Sequence, residues 1–243
     1  MRRKKVLERL IPPSLEEKIR GEECIWIHAV SVGEVKAVSH LARELSRPLI
    51  VSTITETGLE EAKRAIPQAL CHILLPIDLK CVMRSLLKGL KIKIVILSET
   101  DYWFHFLKEV KAIGAQIILV NGKLSQRSVK MRGAFKGVTR ELFSLVDHFF
   151  LQTEKEREKF LSLGVLREKT EVTGNLKFEV KGVSSRCLEE FRGVLGLKKS
   201  ESVVVFGSTH EEEESFLFGV IERLLKEKAL SLLVVPRHPE RFT

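Results

Sequence analysis

Directly after an apolar run ending in Ala29-Val30, the chain reads Ser31-Val32-Gly33-Glu34. A glycine at the mouth of a strand lets a ligand approach the backbone closely, and the carboxylate beside it could take a proton from a hydroxyl as a general base. The same Ser-x-x-Glu spacing is a capping box, in which Ser31 and Glu34 satisfy the first backbone N–H groups of a helix. The chain repeats that device at Ser14/Glu17, Thr57/Glu60, Thr153/Glu156 and Thr209/Glu212. Spacing alone therefore favours a cap, and a helix N-terminus makes a carboxylate a weaker base unless burial offsets it.

Five further groups could do chemistry. Glu99 and Asp101 flank Thr100 and precede Tyr102-Trp103. If the segment is extended, both carboxylates face one way and suit the hydroxyls of a sugar stacked on the aromatics; a charged turn before core aromatics is the alternative. Asn121-Gly122-Lys123-Leu124-Ser125-Gln126-Arg127 is a second polar loop. Lys177, in Asn175-Leu176-Lys177-Phe178, could clamp a phosphate or carboxylate, or be a solvated linker lysine. Gly207-Ser208-Thr209-His210 ends one strand and Pro236-Arg237-His238-Pro239 the next. The first offers backbone donors and hydroxyls to a phosphate, the second a guanidinium. Glu211, Glu212, Glu213 and Glu214 oppose an anion there and fit a plain acidic first turn. His28 and His72 read as core histidines, and no metal-ligand spacing is visible.

These loops need elements to hold them. Apolar β-branched runs at 24–30, 49–54, 71–77, 92–99, 115–121 and 148–153 alternate with amphipathic helices at 35–45, 59–66, 81–90, 104–113, 129–146 and 155–163. Continuous apolar strands separated by helices predict a doubly wound parallel sheet, an α/β class, with ligands beyond the carboxyl ends of its strands. A short strand at 171–173 follows. Residues 1–178 then form one Rossmann-like domain, and 179–243 a connector and the start of a second. That second piece has two strands, 203–207 and 230–235, around a helix at 211–228. Two strands and a helix are too few to stand alone, so the piece either docks as an appendage on the first sheet or is a second domain cut short, and the latter is favoured.

Composition narrows the class. The 243 residues are 44% hydrophobic and 30% charged, which excludes a disordered tail, a collagen repeat or a membrane bundle. No apolar run approaches a membrane span, and no signal-peptide core follows the basic start. Cys24, Cys71, Cys81 and Cys187 lack zinc spacing and read as reduced thiols of a cytoplasmic protein. The net charge is +9; residues 179–243 hold 10 basic and 11 acidic groups, leaving 31 against 21 in residues 1–178. This charge fits either solubility alone or an anionic partner of the first domain: a phosphorylated ligand, a membrane surface or nucleic acid. Residues 1–11, with Arg2, Arg3, Lys4, Lys5 and Arg9 beside Val6, Leu7, Leu10 and Ile11, fit either interfacial binding to anionic lipid or an ordinary amphipathic helix.

Taken in order, Trp-Ile-His-Ala-Val-Ser-Val-Gly-Glu (26–34), Glu-Thr-Asp-Tyr-Trp (99–103), Asn-Gly-Lys-Leu-Ser-Gln-Arg-Ser (121–128), Gly-Asn-Leu-Lys-Phe (174–178), Gly-Ser-Thr-His-Glu (207–211) and Val-Pro-Arg-His-Pro-Glu-Arg-Phe (235–242) resemble the 3-deoxy-D-manno-octulosonic acid (Kdo) transferases of lipopolysaccharide synthesis. The resemblance implies a GT-B glycosyltransferase. It implies inverting, metal-independent transfer of Kdo from CMP-Kdo to the lipid A precursor lipid IVA, with no cofactor besides that substrate. By the same resemblance Glu34 is the base. Ser31, Gly33, Glu99, Asp101, Asn121 and Arg127 serve the acceptor, and Asn175, Lys177, Ser208, Thr209, His210 and Arg237 the donor. The expected location is the cytoplasmic face of the inner membrane, held peripherally through the basic N-terminal segment, with no nucleic-acid partner. Asp101 replaces the family's usual glutamate and Phe104 its frequent proline. The family's membrane anchor and glycine-rich nucleotide segment are not found, so an inactive fragment is one expectation. Another GT-B nucleotide-sugar transferase or epimerase is the alternative enzyme, and a basic, non-catalytic anion- or nucleic-acid-binding module the alternative of a different class.

Overall fold

A computed structural model describes Leu15, Ile19 and residues 21–99, 102–178, 185–198, 200–227 and 230–238. The chain divides into two compact units, Met1–Val180 and Lys181–Thr243. In the first, strands β1 (Glu23–His28), β2 (Leu49–Thr53), β3 (Cys71–Leu74), β4 (Lys91–Ser98), β5 (Gln116–Gly122), β6 (His148–Leu151) and β7 (Thr170–Val172) form one sheet in the order β3-β2-β1-β4-β5-β6-β7. Every pairing is parallel. Between the strands lie α1 (Val32–Glu44), α2 (Glu56–Ala65), α3 (Lys80–Leu87), α4 (Phe104–Ala112), α5 (Gln126–Ala134), α6 (Lys136–Ser144) and α7 (Glu154–Ser162).

The central strands β1 and β2 are almost wholly buried because both faces are covered. Alternation sends Cys24 and Trp26 of β1 to one face, against Met83, Phe106, Val110 and Phe143 of the helices there. Ile25 and Ile27 go to the other, against Val35, Val38, Ala42 and Ala62 of α1 and α2. Strand β3 stops at Leu74 rather than running to 77, since Pro76 has no N–H to give the ladder.

Two local expectations change. The single helix expected over 129–146 is two, α5 and α6, joined at Phe135 (φ −110°, ψ 50°). Gly133 and Gly137 weaken the helix on either side of that residue, and the Thr139 hydroxyl takes the Arg132 carbonyl at 2.9 Å. The caps also shift. Thr55, not Thr57, caps α2 by accepting from Gly58 N at 3.0 Å, and Thr153 caps α7 as expected. Ser14/Glu17 and residues 1–11 lie outside the described residues.

The second unit contains α8 (Ser185–Val194), β8 (Ser202–Thr209), α9 (Glu211–Glu227) and β9 (Leu230–Pro236). Its two strands pair in parallel from Ser202↔Leu230 to Thr209↔Pro236. A two-stranded sheet with one long helix cannot cover all its apolar groups, and Val205, Phe216 and Phe218 stay exposed.

Candidate functional site

The first sheet changes direction between β1 and β4: chain order runs outward from β1 through β2 to β3, and outward the other way from β4. Such a switch point opens a crevice beyond the carboxyl ends of its two strands. The loop that leaves β4 there begins with Glu99, and the one that leaves β1 leads into the first turn of α1, which carries Glu34.

Ser31 is the N-cap of α1, extended at φ −122°, with its Oγ accepting from Glu34 N at 3.3 Å. The half-buried Glu34 side chain folds back over the helix start. Its Oε2 accepts from Val30 N at 3.0 Å, and its Oε1 accepts from the Ser31 hydroxyl at 3.1 Å. The capping alternative is thus realised, and Glu34 enters any chemistry already hydrogen-bonded. Gly33 leaves its outer side open, with only Ser31 Oγ as near as 4.0 Å to where a Cβ would stand.

Glu99 is the centre of a second cluster. Its carboxylate is buried and accepts from Lys123 Nζ on Oε2 and Lys177 Nζ on Oε1, both at 2.7 Å. Asn121 Nδ2 donates to Oε1 at 3.4 Å, while Asn121 Oδ1 accepts from Leu176 N at 3.2 Å. Burial raises the pKa of Glu99, but the two ammonium groups outweigh it and hold the carboxyl below its ordinary value. Glu99 and Asn121 both have left-handed backbones, φ 60° and 56°. A non-glycine residue there costs of order 1–3 kcal/mol, and such strain gathers at functional sites. The cluster unites residues assigned separately to acceptor and donor, and adds Lys123, which the sequence reading quoted within its motif but gave no role. The signal was present: Lys123 is two residues past Asn121, at the same strand end.

Other site expectations are corrected. Glu99 is left-handed rather than extended, so the expected extended segment loses its first residue; Thr100 and Asp101 lie outside the described residues. Tyr102 and Trp103 are not an open sugar platform. They pack on the core, Tyr102 edge-on to Phe143 at 5.2 Å with the Arg132 guanidinium 4.9 Å over its ring. Trp103 has no cap to offer α4, and Asp78 supplies it from the β3–α3 loop, accepting from His105 N at 3.0 Å and Phe106 N at 2.8 Å. Asn175 turns its own segment by accepting from Lys177 N at 3.0 Å. Arg127 is exposed on the first turn of α5, apart from the Glu99 cluster.

His28, at the end of β1, is a core histidine as expected. Trp26 Nε1 donates to Ser52 Oγ at 2.7 Å, and Ser52 Oγ shares a 2.8 Å hydrogen bond with His28 Nδ1. Burial drives the His28 pKa from 6.5 down to about 4, with the Ser52 contact opposing weakly. Between those values only the unfolded chain binds the proton, so folding stability falls as pH drops through that window. A loss of about 3 kcal/mol is expected from this group between pH 7 and pH 4. Urea midpoints across that range read it, and His28→Asn, which keeps a partner for Ser52, should flatten the slope.

In the second unit, register places Ser208, Thr209 and His210 beside Arg237, whose N–H donates to Thr209 O at 2.9 Å. Ser208 is left-handed at φ 61°, and the His210 and His238 rings lie 5.9 Å apart. The donors of this helix start are largely taken by its own acids. His210 N bonds Glu213 Oε2 at 2.9 Å, and the buried Thr209 hydroxyl donates to Glu214 Oε1 at 2.6 Å. The capping pair is therefore His210/Glu213 rather than Thr209/Glu212. An open depression of about 790 Å³ lies over Glu211, Glu212 and Glu213.

Among the described residues no three His, Cys, Asp or Glu side chains gather as a metal site, and no helix is long and apolar enough to cross a membrane. The fold is similar to that of a UDP-GlcNAc 2-epimerase from Neisseria meningitidis solved with UDP-GlcNAc bound. The TM-score is 0.61 at 13% identity, over 89% of this chain and 66% of that one; the likeness is one of fold, of the GT-B type. In sequence the chain is 34% identical over 225 residues to a 3-deoxy-D-manno-octulosonic acid transferase of Chlamydia pneumoniae, covering 89% of this chain and 51% of the relative. It is 32% identical to one of Chlamydia trachomatis, covering 92% and 54%. The chain thus spans about half the length of these curated relatives. Residues 4–180 match the family described as 3-deoxy-D-manno-octulosonic-acid transferase (kdotransferase). With its switch-point loops and their motifs inside that matched stretch, the chain belongs to the Kdo transferase family.

Proposed function

We propose that the first unit is the acceptor half of a glycosyltransferase that moves Kdo from CMP-Kdo to a 6-hydroxyl of lipid IVA, with inversion and without a metal ion or other cofactor. The observation that carries this reading is that both strands flanking the switch point, β1 and β4, lead into a carboxylate, Glu34 and Glu99 respectively. In the reaction the acceptor oxygen bonds to the anomeric carbon of Kdo as the bond to the CMP phosphate breaks. Glu34 takes the hydroxyl proton. Its capping role does not forbid this, since a carboxylate accepts up to about four hydrogen bonds.

Ser31 and Gly33 flank the base, and Glu99, with Asn121 holding the 174–178 segment beside it, keeps Lys123 and Lys177 at the sheet edge. Asp101 and Arg127 belong to the acceptor side on the same reading. Asn175, Lys177, Ser208, Thr209, His210 and Arg237 meet the donor, where cations favour the departing phosphate. The net positive charge of residues 1–178 suits both the Kdo carboxylate and the lipid phosphates. The protein then works peripherally at the cytoplasmic face of the inner membrane.

Incubating the chain with lipid IVA and either CMP-Kdo or UDP-GlcNAc tests the reading by product mass. Binding of lipid IVA is expected of the chain itself, and a lipid heavier by one Kdo unit, from CMP-Kdo alone, where a complete donor half is supplied. Conversion of UDP-GlcNAc, or failure to bind lipid IVA at all, would overturn it.

A further inference from the structure

The stretch that follows β5 concentrates positive charge. From Lys123 to Arg140 there are six Lys or Arg residues and no Asp or Glu. Two are engaged inward: Lys123 with Glu99, and Arg132 over the Tyr102 and Phe143 rings. Arg127, Lys130, Lys136 and Arg140 are exposed, and among the described residues no ion pair occupies them.

The same stretch exposes apolar side chains where a globular surface would hide them. Helix α5 buries no residue. Met131, Phe135 and Val138 are 57%, 67% and 59% exposed, at the end of α5, the joint and the start of α6. The joint is a built feature rather than a frayed end. Phe135 N donates to Arg132 O at 3.2 Å, Thr139 N to Phe135 O at 3.0 Å, and Thr139 itself is buried. Apolar tips ringed by unpaired cations, with no acid among them, match the water–lipid boundary of an anionic bilayer. Nucleic acid would use the cations but gains little from Met131 and Val138.

We propose that the α5–α6 joint is a membrane-contact surface. Met131, Phe135 and Val138 enter the headgroup boundary, and Lys130, Lys136, Arg127 and Arg140 meet lipid phosphates. The surface continues from the loop that carries Asn121 and Lys123, so it would bring a lipid-borne acceptor to the same sheet edge. It rests on the acceptor reading for its purpose, though lipid binding is measured without any transfer step.

The test is cosedimentation of the 243-residue chain with vesicles of phosphatidylcholine alone or with 30% phosphatidylglycerol. Binding is expected only with the anionic lipid and is expected to weaken with salt. Lys130→Gln/Lys136→Gln should weaken it about 30-fold, and Met131→Ser/Phe135→Ser/Val138→Ser by about tenfold or more. Urea midpoints should not move, because these side chains are exposed. Wild-type binding in both variants overturns the proposal. So does loss confined to a variant with Arg2, Arg3, Lys4 and Lys5 replaced by Gln, or equal affinity for duplex DNA that ignores the Ser triple. If Kdo transfer fails while the joint variants still lose vesicle binding, the enzymatic reading falls and the surface stands.

Discussion

Glu34→Gln is expected to lower Kdo transfer by about 10²–10⁴-fold, the usual contribution of a positioned general base, while leaving the fold within about 0.5 kcal/mol of the parent. The amide can accept from Val30 N–H through its oxygen and donate to Ser31 Oγ through its nitrogen, so these two contacts of the present carboxylate are kept. What it cannot do is take a proton. Glu34→Ala leaves the Ser31 cap but removes the carboxylate half of the capping box, and should cost about 1 kcal/mol of stability on top of the activity. Transfer rates and urea midpoints measured on both variants separate the two roles. If Glu34→Gln transfers at the parent rate, Glu34 is a cap and nothing else, and the base must be sought elsewhere at the switch point.

Replacing both lysines of the Glu99 cluster should do more damage than replacing Glu99. The Glu99 side chain is 8% exposed, whereas Lys123 and Lys177 are 42% and 41% exposed. After Glu99→Gln each ammonium can turn to water, and a loss of about 1 kcal/mol is expected, as for partly solvated ion pairs. Lys123→Met/Lys177→Met strands a buried carboxylate, and a loss of about 3 kcal/mol or more is expected. The pH dependence should also change sign. In the parent, the lowered pKa of Glu99 gives stability that is present above about pH 4.5 and lost as pH falls through the folded value. In the double variant burial outweighs the long Asn121 hydrogen bond that remains, the folded pKa rises above the unfolded one, and stability recovers as the carboxylate takes a proton on acidification. Denaturation midpoints at pH 7.5 and 5.5 read the difference. Equal losses in the two variants, with no recovery at lower pH, would mean that Glu99 is hydrated and the lysines are incidental.

The fold was largely legible because its causes are local. Apolar runs of strand length alternating with 3.6-period segments leave a two-faced parallel sheet as the compact solution, and each expected strand of the first unit overlaps an observed one. The errors arose where a short-range competitor was invisible. Two glycines around Phe135 divided one expected helix. Thr55 competed with Thr57 for the same cap. The cap of α4, on which the sequence was silent, comes from Asp78 in another loop 27 positions away, which no pattern within residues 99–113 could announce.

The candidate site was legible as separate pieces. The Ser31–Glu34 spacing by itself determined a helix cap, since the hydrogen bonds of a cap depend only on residues within one turn. The resemblance of the motifs placed Glu99, Asn121 and Lys177 near ligands, but in different roles. Only the tertiary structure put them in one cluster with Lys123, because that contact joins the ends of two neighbouring strands to a segment 78 positions along the chain. It also decided that Glu99 turns left-handed and that Tyr102 and Trp103 pack inward. Those outcomes follow from burial and ion pairing among residues far apart in sequence, and such forces do not exist until the sheet has formed.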